Sequence, residues 1–210
     1  MNRGGVLTLV RAGAVAVVLV AIVAQAMALA NANAFNPTRF FAFFTIQSNI
    51  VGVAAFVLVL LARGRPRTRG LELLRGAATV YLTVTFFVVI FLLSGVDVQL
   101  QLGWVDFVLH KIFPVIVVLD WIVDPPTSRL TYRDSLLWLA YPIVWTGLTL
   151  LRGALDGWYP YPFLDPANGG YGTVALTVVA VIAGFFVLAA ITIAIGNARG
   201  TSARDPQPAT

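Results

Sequence analysis

A stripe of polar side chains lies inside an apolar stretch near residue 45. Phenylalanines at positions 40, 41, 43 and 44 lead the stretch, and Thr45, Ser48 and Asn49 follow them. Residues three and four apart share one face of a helix, so these side chains predict a single polar stripe. A threonine hydroxyl can attack a carbonyl carbon when an adjacent base takes its proton. The stripe is therefore a candidate nucleophile site, and helix pairing through hydrogen bonds is the alternative.

The chain contains one histidine, His110, which also lies in an apolar run. Asp106 precedes it by four residues and shares its helical face, where a carboxylate can hold the imidazole in one tautomer. Pro114 follows His110 by four residues and has no N–H for the His110 carbonyl, so the helix is expected to loosen there. An ionisable group within a membrane segment marks a functional site by default. The alternative is a hydrogen-bonded strut between helices.

The composition places these residues in a membrane protein. Hydrophobic residues make up 59% of the 210 residues and charged residues 11%, against about 25% charged residues in an ordinary globular chain. The apolar runs, of roughly 18 to 25 residues, are long enough to cross a bilayer core of about 30 Å. We expect an all-α, polytopic protein of the cell membrane. The absence of cysteine excludes disulfides and thiolate-bound metals, and no metal or cofactor is predicted.

Six apolar runs predict six transmembrane helices. They cover residues 6–30, 40–61, 71–93, 104–123, 135–151 and 171–195. The first run ends in small residues that a signal peptidase accepts, but it is longer than the ~7–15 residues of a signal h-region. We therefore expect a retained helix, with a cleaved signal peptide as the alternative. Residues 1–196 are expected to form one transmembrane domain, and residues 197–210 a disordered cytoplasmic tail.

The arginines predict the orientation of these helices. With six crossings, one side receives the arginines at positions 3, 11, 63, 65, 67, 69, 75, 129, 133, 199 and 204, and the other side only Arg39 and Arg152. Cytoplasmic loops carry the excess of basic residues, so both termini are expected in the cytoplasm. Because the arginines flank apolar runs, the net charge of +5 indicates topology rather than a nucleic-acid partner.

The predicted topology places Thr45 and His110 at matching depth. Each lies about five residues from the outer end of its run, roughly 7–9 Å at 1.5 Å per residue. Matching depth permits contact between the two side chains. If the chain is a hydrolase, we expect Thr45 Oγ within about 2.6–3.2 Å of a His110 ring nitrogen, or somewhat further without substrate. Residues 157–165 are expected to form an ordered cap on the same side. Within this segment the candidates for an interfacial belt or for substrate access are Trp158, Tyr159, Tyr161 and Asp165.

Four motifs resemble those of the androgen-induced gene protein family. They are Phe-Phe-Thr-Ile-Gln-Ser-Asn at 43–49, His110 with Pro114, Leu-Asp-Trp at 119–121, and Gly-Trp-Tyr-Pro-Tyr-Pro-Phe-Leu-Asp at 157–165. The family includes the androgen-dependent regulator of tissue factor pathway inhibitor and uncharacterised prokaryotic six-helix proteins, which this chain resembles most. Animal members are threonine-dependent membrane hydrolases of fatty-acid esters of hydroxy fatty acids. The resemblance, over about residues 10–196, implies a nucleophilic Thr45 and an essential His110.

These features predict a hydrolase that cleaves a membrane lipid or fatty acyl ester. Thr45 would attack the ester carbonyl and His110 would accept its proton, with Asp106 in support. Ser48 or Asn49 would donate to the oxyanion. The rival is a non-catalytic six-helix membrane protein whose polar stripe binds lipid or a partner. A transporter is disfavoured because no helices show paired glycine and proline breaks. The sequence leaves the oligomeric state open.

Overall fold

The chain folds almost entirely into helices. A computed structural model describes residues 2–94 and 102–202. The helices are α1 (Arg3–Asn31), α2 (Pro37–Phe40), α3 (Phe44–Leu61), α4 (Arg69–Leu92), α5 (Gly103–Phe107), α6 (Phe113–Val123), α7 (Asp134–Asp156) and α8 (Gly170–Ser202). A π-helical turn, Val108–Ile112, connects α5 to α6, and the 3₁₀ turns Pro162–Leu164 and Pro166–Asn168 precede α8. No strand occurs in these two ranges, which confirms the all-α prediction.

Five helices are long and apolar enough to cross a membrane, namely α1, α3, α4, α7 and α8. In lipid a helix satisfies its backbone polar groups internally, so long apolar runs favour this structure. The architecture is therefore compatible with a multi-pass membrane protein. The fourth predicted run, residues 104–123, is not one of the five because the π-helical turn divides it into shorter helices.

The helix α4 lies at the centre of the molecule and packs against α3, α6, α7 and α8. Two glycines allow close contacts between helices and aromatic rings. A Cβ atom at Gly52 of α3 would lie 2.7 Å from Phe113 Cε1, and one at Gly76 of α4 would lie 2.3 Å from Trp138 Cζ2. Because small residues let helices approach closely, these positions set the spacing of α3 from α6 and of α4 from α7.

Six helix ends meet at one end of the molecule, which we call the arginine-rich end. Arg11 near the start of α1 pairs with Asp120 of α6 at 2.7 Å. Arg69 at the start of α4 pairs with Asp134 at the start of α7 at 2.8 Å. Asn197 near the end of α8 hydrogen-bonds the backbone of Leu130. The helices α1, α4 and α7 therefore begin at this end, whereas α6 and α8 end there.

The charges at the core of the arginine-rich end are balanced. Three arginines and three carboxylates form an ionic cluster, Arg11, Arg67, Arg75, Glu72, Asp120 and Asp124. Arg75 is central, with Glu72 at 2.8 Å and Asp120 at 3.1 Å. Since an unpaired charge in an apolar interior is very costly, this pairing explains how Arg11 can lie within an apolar run.

The last helix is longer than its apolar run. We predicted a helix ending near Ile195 and a disordered tail from residue 197, but α8 continues to Ser202. The Asn197 amide donates to the Leu130 carbonyl and accepts from its N–H, and Arg199 Nε donates to the Ile122 carbonyl. These contacts hold the helix against neighbouring segments, so the tail prediction does not hold for residues 197–202. Residues 203–210 lie outside the described ranges.

Candidate functional site

Thr45 is the second residue of α3, not a residue well inside a helix that begins at Phe40. The residues Pro37–Phe40 form the separate helix α2, capped by the Asn36 side chain, and Phe43 has an extended backbone. The predicted helix start at Phe40 is therefore wrong. The first backbone N–H groups of a helix lack intrahelical acceptors and carry a partial positive charge. Thr45 therefore lies where the backbone favours a developing negative charge.

His110 lies within the π-helical turn Val108–Ile112. The N–H of Phe113 donates to the carbonyl of Val108, five residues earlier. Because Pro114 supplies no N–H to the His110 carbonyl, the α-helical ladder is interrupted here, as the sequence predicts. Single π-helical turns inside α-helices frequently occur at functional sites. Lys111 is exposed, and its ammonium lies over the Phe107 ring at 5.6 Å.

Thr45, His110 and Asp106 form a hydrogen-bonded chain. Thr45 Oγ1 lies 3.0 Å from His110 Nε2, within the range expected for a nucleophile and its base. His110 Nδ1 lies 2.7 Å from Asp106 Oδ1. Thr45 and His110 are 6% and 3% exposed, whereas the side chain of Asp106 is 32% exposed. Thr45 and His110 are thus buried, and the Asp106 carboxylate reaches the surface of the helix bundle.

Tyr161 is a fourth member of this chain. Its hydroxyl oxygen accepts a hydrogen bond from the Thr45 backbone N–H at 3.2 Å and lies 3.3 Å from Thr45 Oγ1. It caps α3, whose preceding residue Phe43 provides no side-chain cap. The Tyr161 ring also packs against Phe43 and Phe163, with centroid distances of 5.7 Å and 5.2 Å. We predicted Tyr161 at a substrate access path, and the structure places it against the candidate nucleophile itself.

One assignment of protons satisfies the whole chain. With the His110 Nδ1 proton donated to Asp106, Nε2 accepts the hydroxyl proton of Thr45. The Tyr161 phenol then donates to Thr45 Oγ1. Burial raises the pKa of Tyr161 above its ordinary value, although its hydrogen bonds with Thr45 act in the opposite direction. The phenol therefore stays protonated at neutral pH, and in this assignment the threonine hydroxyl points at His110 Nε2.

Ser48 and Asn49 hold the backbone around Thr45. The Ser48 hydroxyl donates to the Thr45 carbonyl at 3.0 Å. The Asn49 amide donates to the same carbonyl at 2.8 Å and to the Leu109 carbonyl at 3.2 Å. Because these donors are occupied, the geometry does not support the oxyanion role that we predicted for them. The Asn49 amide connects α3 to the π-helical turn and thereby positions Thr45 beside His110.

Trp158 in the predicted cap segment, residues 157–165, packs over the start of α3. Its ring contacts Phe43, with a centroid distance of 5.8 Å. The guanidinium groups of Arg39 and Arg152 lie 5.3 Å and 5.1 Å from its ring centre. Cation–π contacts of this kind stabilise the position of the ring. Trp158 therefore helps to hold the segment that carries Tyr161.

Tyr159 and Asp165 have structural positions in the same segment. Tyr159 packs so closely on Gly153 of α7 that a Cβ atom there would lie 2.1 Å from its ring. Asp165 accepts a hydrogen bond from the N–H of Ala167 and begins a 3₁₀ turn. Neither residue lines the two cavities that meet at Thr45. Of the four aromatic-segment candidates, the structure brings Tyr161 alone to the Thr45 hydroxyl.

Two cavities meet at Thr45. The apolar chamber, about 780 Å³ of empty space, lies among α4, α7 and α8 and is lined by side chains such as Val84, Val88, Pro142 and Val181. The polar chamber, about 790 Å³, is lined by residues that include Gln25, Asn36, Arg39 and His110. Thr45 and Tyr161 line both cavities. A molecule with one apolar and one polar part would therefore present its junction to Thr45.

Asn36 and Arg39 are residues of the polar chamber that our sequence reasoning missed. The sequence analysis named Arg39 only as one of the two arginines on the side of the membrane that has few arginines. The signal was nonetheless present, because Asn followed by Pro is a strong start for a helix, with asparagine as N-cap and proline at the first position. This pair predicts the short helix α2, which places Asn36 and Arg39 beside the polar chamber.

No protein-family model, curated protein or solved structure matches the chain. Within residues 2–94 and 102–202, no group of three metal-ligating side chains is close enough to hold an ion. The hydrogen-bonded chain and the two chambers are therefore the observations from which a function can be inferred.

Proposed function

We propose that this protein is a membrane-embedded hydrolase of lipid esters, with Thr45 as nucleophile and His110 as general base. The observation that carries the proposal is the chain from Thr45 Oγ1 to His110 Nε2, at 3.0 Å, and from His110 Nδ1 to Asp106, at 2.7 Å. A nucleophile, a base and a group that orients the base are the parts required for acyl transfer. The resemblance to the androgen-induced gene protein family supports the same roles, and membership of that family is part of the proposal.

The protein crosses the cell membrane six times, with both termini in the cytoplasm. Residues 103–123 supply the sixth crossing, because they are helical throughout and extend about 30 Å at ~1.5 Å per residue. The start of α1 and the end of α8 both lie at the arginine-rich end, which supports an even number of crossings. The concentration of arginines at one end supports a cytoplasmic position for that end. The Thr45 site then faces the outer half of the membrane.

The reaction begins when Thr45 Oγ attacks the ester carbonyl carbon while its proton passes to His110 Nε2. Asp106 stabilises the resulting imidazolium. Negative charge develops on the carbonyl oxygen near the N-terminus of α3, where the partial positive charge of the helix end and the Tyr161 phenol beside Thr45 stabilise it. The tetrahedral intermediate collapses, the ester C–O bond breaks, and the leaving alkoxide takes the proton from His110. The acyl group remains bound to Thr45.

Water completes the cycle. His110, now neutral, accepts a proton from a water molecule as its oxygen attacks the acyl-threonine. Collapse of the second intermediate breaks the bond to Thr45 Oγ, which recovers its proton from His110, and releases the carboxylic acid. The exposed edge of Asp106 and the polar chamber provide the side from which water can approach.

The two chambers indicate the shape of the substrate. The apolar chamber accommodates an acyl chain, because aliphatic and aromatic side chains line it almost entirely. The polar chamber receives the alcohol portion, near Asn36 and Arg39. An ester that joins a fatty acyl chain to a lipid alcohol bearing a polar or acidic group fits this division. Fatty-acid esters of hydroxy fatty acids have this structure.

Labelling with a fluorophosphonate probe and hydrolysis of a fatty acyl ester test the proposal on the purified protein. We expect both to be abolished by Thr45→Ala and retained by Thr192→Ala. Thr192 is the matched control, since it is also a buried helical threonine and its hydroxyl donates to the Leu188 carbonyl near the arginine-rich end. Ester hydrolysis that survives Thr45→Ala, or is absent from the folded wild-type protein, would favour the rival non-catalytic lipid-binding protein.

A further inference from the structure

A third cavity lies at the arginine-rich end, far from Thr45 in the fold. It contains about 890 Å³ of empty space, between the first turns of α1, the end of α3 and the loop that leads to α4. Arg11, Arg67 and Asp124 of the ionic cluster line its inner side. Arg63 and Arg65 lie at its exposed rim. The proposed hydrolase uses none of these residues.

The rim arginines carry positive charge that no carboxylate within residues 2–94 and 102–202 pairs with. The ionic cluster contains three arginines and three carboxylates and is balanced within itself. Arg63 and Arg65 form no ion pair or side-chain hydrogen bond with any other described residue. Gly64 between them has a φ of +79°, a conformation that glycine adopts readily. The turn therefore presents two unpaired guanidinium groups at the mouth of the cavity.

We propose that this cavity binds the phosphate headgroup of an anionic phospholipid. Arginine recognises phosphate through paired, charge-assisted hydrogen bonds, and two unpaired arginines beside a balanced cluster leave the cavity with a net positive charge. The site lies at the ends of membrane-spanning helices, where headgroups are found, and such basic pockets between helices bind anionic lipids. Leu7, Val59 and Leu60 give one side of the cavity an apolar wall. This wall fits the glycerol and acyl portion of a lipid better than a free phosphate ion.

The test uses the full-length protein in a neutral detergent. Thermal unfolding is followed with increasing short-chain phosphatidylglycerol, short-chain phosphatidylcholine or inorganic phosphate. We expect stabilisation by phosphatidylglycerol and much weaker stabilisation by the other two. Arg63→Gln with Arg65→Gln should weaken the apparent affinity for phosphatidylglycerol by about 10-fold or more, since hydrogen bonds to charged groups contribute strongly. The melting temperature and elution profile without lipid check the folding of this variant, whose changed side chains are exposed.

The matched control is Arg129→Gln with Arg133→Gln, which removes the same charge from exposed positions at the same end but outside the cavity. It should change the affinity for phosphatidylglycerol by less than about 2-fold. Equal loss in the two double variants would indicate general surface charge and would overturn the proposal. Arginine-dependent binding of inorganic phosphate as strong as that of the lipid would assign the cavity to a free phosphate ligand and would overturn the lipid assignment.

Discussion

His110 Nδ1 lies 2.7 Å from Asp106 Oδ1, one turn earlier on the same helical rod. A carboxylate at this position can only accept hydrogen bonds. It therefore favours the tautomer of a neutral imidazole that carries its proton on Nδ1, which leaves Nε2 to accept the hydrogen bond of the Thr45 hydroxyl. In the proposed mechanism, the carboxylate also stabilises the imidazolium that forms during attack. Asp106 is in that mechanism a positioning residue whose contribution is greatest when His110 is charged.

Replacement of Asp106 by asparagine should lower kcat for ester hydrolysis by about 100- to 10,000-fold, with little change in KM. The amide has no charge to stabilise imidazolium and can leave His110 in the wrong tautomer. Steady-state kinetics from pH 6 to pH 9 measure the effect. Asp156→Asn is the control, because Asp156 is also a carboxylate paired four residues away, but with Arg152 and not with His110. A similar, small effect in both variants would remove Asp106 from the mechanism.

Tyr161→Phe should lower kcat by about 100-fold while the protein remains folded. The change removes the hydroxyl that lies 3.3 Å from Thr45 Oγ1 and 3.2 Å from its backbone nitrogen. The melting temperature should also fall slightly, since loss of a helix cap costs about 1 kcal/mol.

Tyr159→Phe serves as the control for Tyr161→Phe, because it removes a hydroxyl from the same segment but from a ring that packs on Gly153. Kinetics and thermal unfolding are compared for the two variants. Equal kcat values in wild type and Tyr161→Phe would show that the phenol only caps α3.

The matching depth of Thr45 and His110 could be predicted from the sequence, whereas the contact of Tyr161 with Thr45 could not. The direction of a helix and its rise per residue fix the depth of a side chain in a membrane bundle. By this measure, Thr45 and His110 both lie near the outer ends of their apolar runs. Tyr161 reaches Thr45 through an irregular segment whose path depends on packing against Phe43 and Gly153. No periodic pattern specifies such a path.

For the ionisable residue Arg11 as well, the position in the fold could be predicted but the partner could not. Arg11 was interpreted as a topology signal, and its position at the arginine-rich end agrees with that. Its pairing with Asp120, 109 residues away, depends on the neighbouring positions of α1 and α6. Likewise, the polar stripe of α3 is predicted by its spacing. The direction of the Asn49 amide is not, because one of its acceptors, the Leu109 carbonyl, lies in the π-helical turn.

Gly52→Ala should destabilise the protein by about 1–3 kcal/mol, because overpacking forces neighbouring side chains and backbone to move. The added Cβ would lie 2.7 Å from Phe113 and 2.8 Å from Leu82. Gly147→Ala is the matched control, since no atom lies within 4 Å of a Cβ at that helical position. The Gly147→Ala variant should be more stable than wild type by about 0.5–1 kcal/mol, because alanine has a higher helix propensity than glycine. Thermal unfolding in detergent measures both, and equal melting temperatures would contradict the close packing of α3 on α6.

Asp124→Asn should reduce stability at neutral pH and have less effect in acid. Burial by itself would raise the pKa of Asp124, but hydrogen bonds from Arg67 and Arg11 outweigh it and lower the pKa below its ordinary value. Its stabilising contribution is therefore complete above the unfolded pKa of about 3.9 and is lost as the pH falls through the lower folded pKa.

Melting temperatures from pH 7 to pH 3 measure this dependence. The difference between wild type and Asp124→Asn should narrow below about pH 4. Asp165→Asn, which changes a carboxylate that forms no ion pair with a described residue, should show no such narrowing. A difference that stays constant with pH would contradict the role of the Asp124 charge.

Single cysteines introduced at Arg63 and Ala167 should lie on opposite sides of the membrane. The natural chain has no cysteine, and both positions are exposed. Three crossings separate them if residues 103–123 span the bilayer, and two if they do not. With an impermeant maleimide on intact cells, we expect labelling of Ala167→Cys alone, and of Arg63→Cys only after permeabilisation. The reverse pattern would invert the orientation. The same pattern for both variants would remove the sixth crossing, and with it the shared outer position of Thr45 and His110.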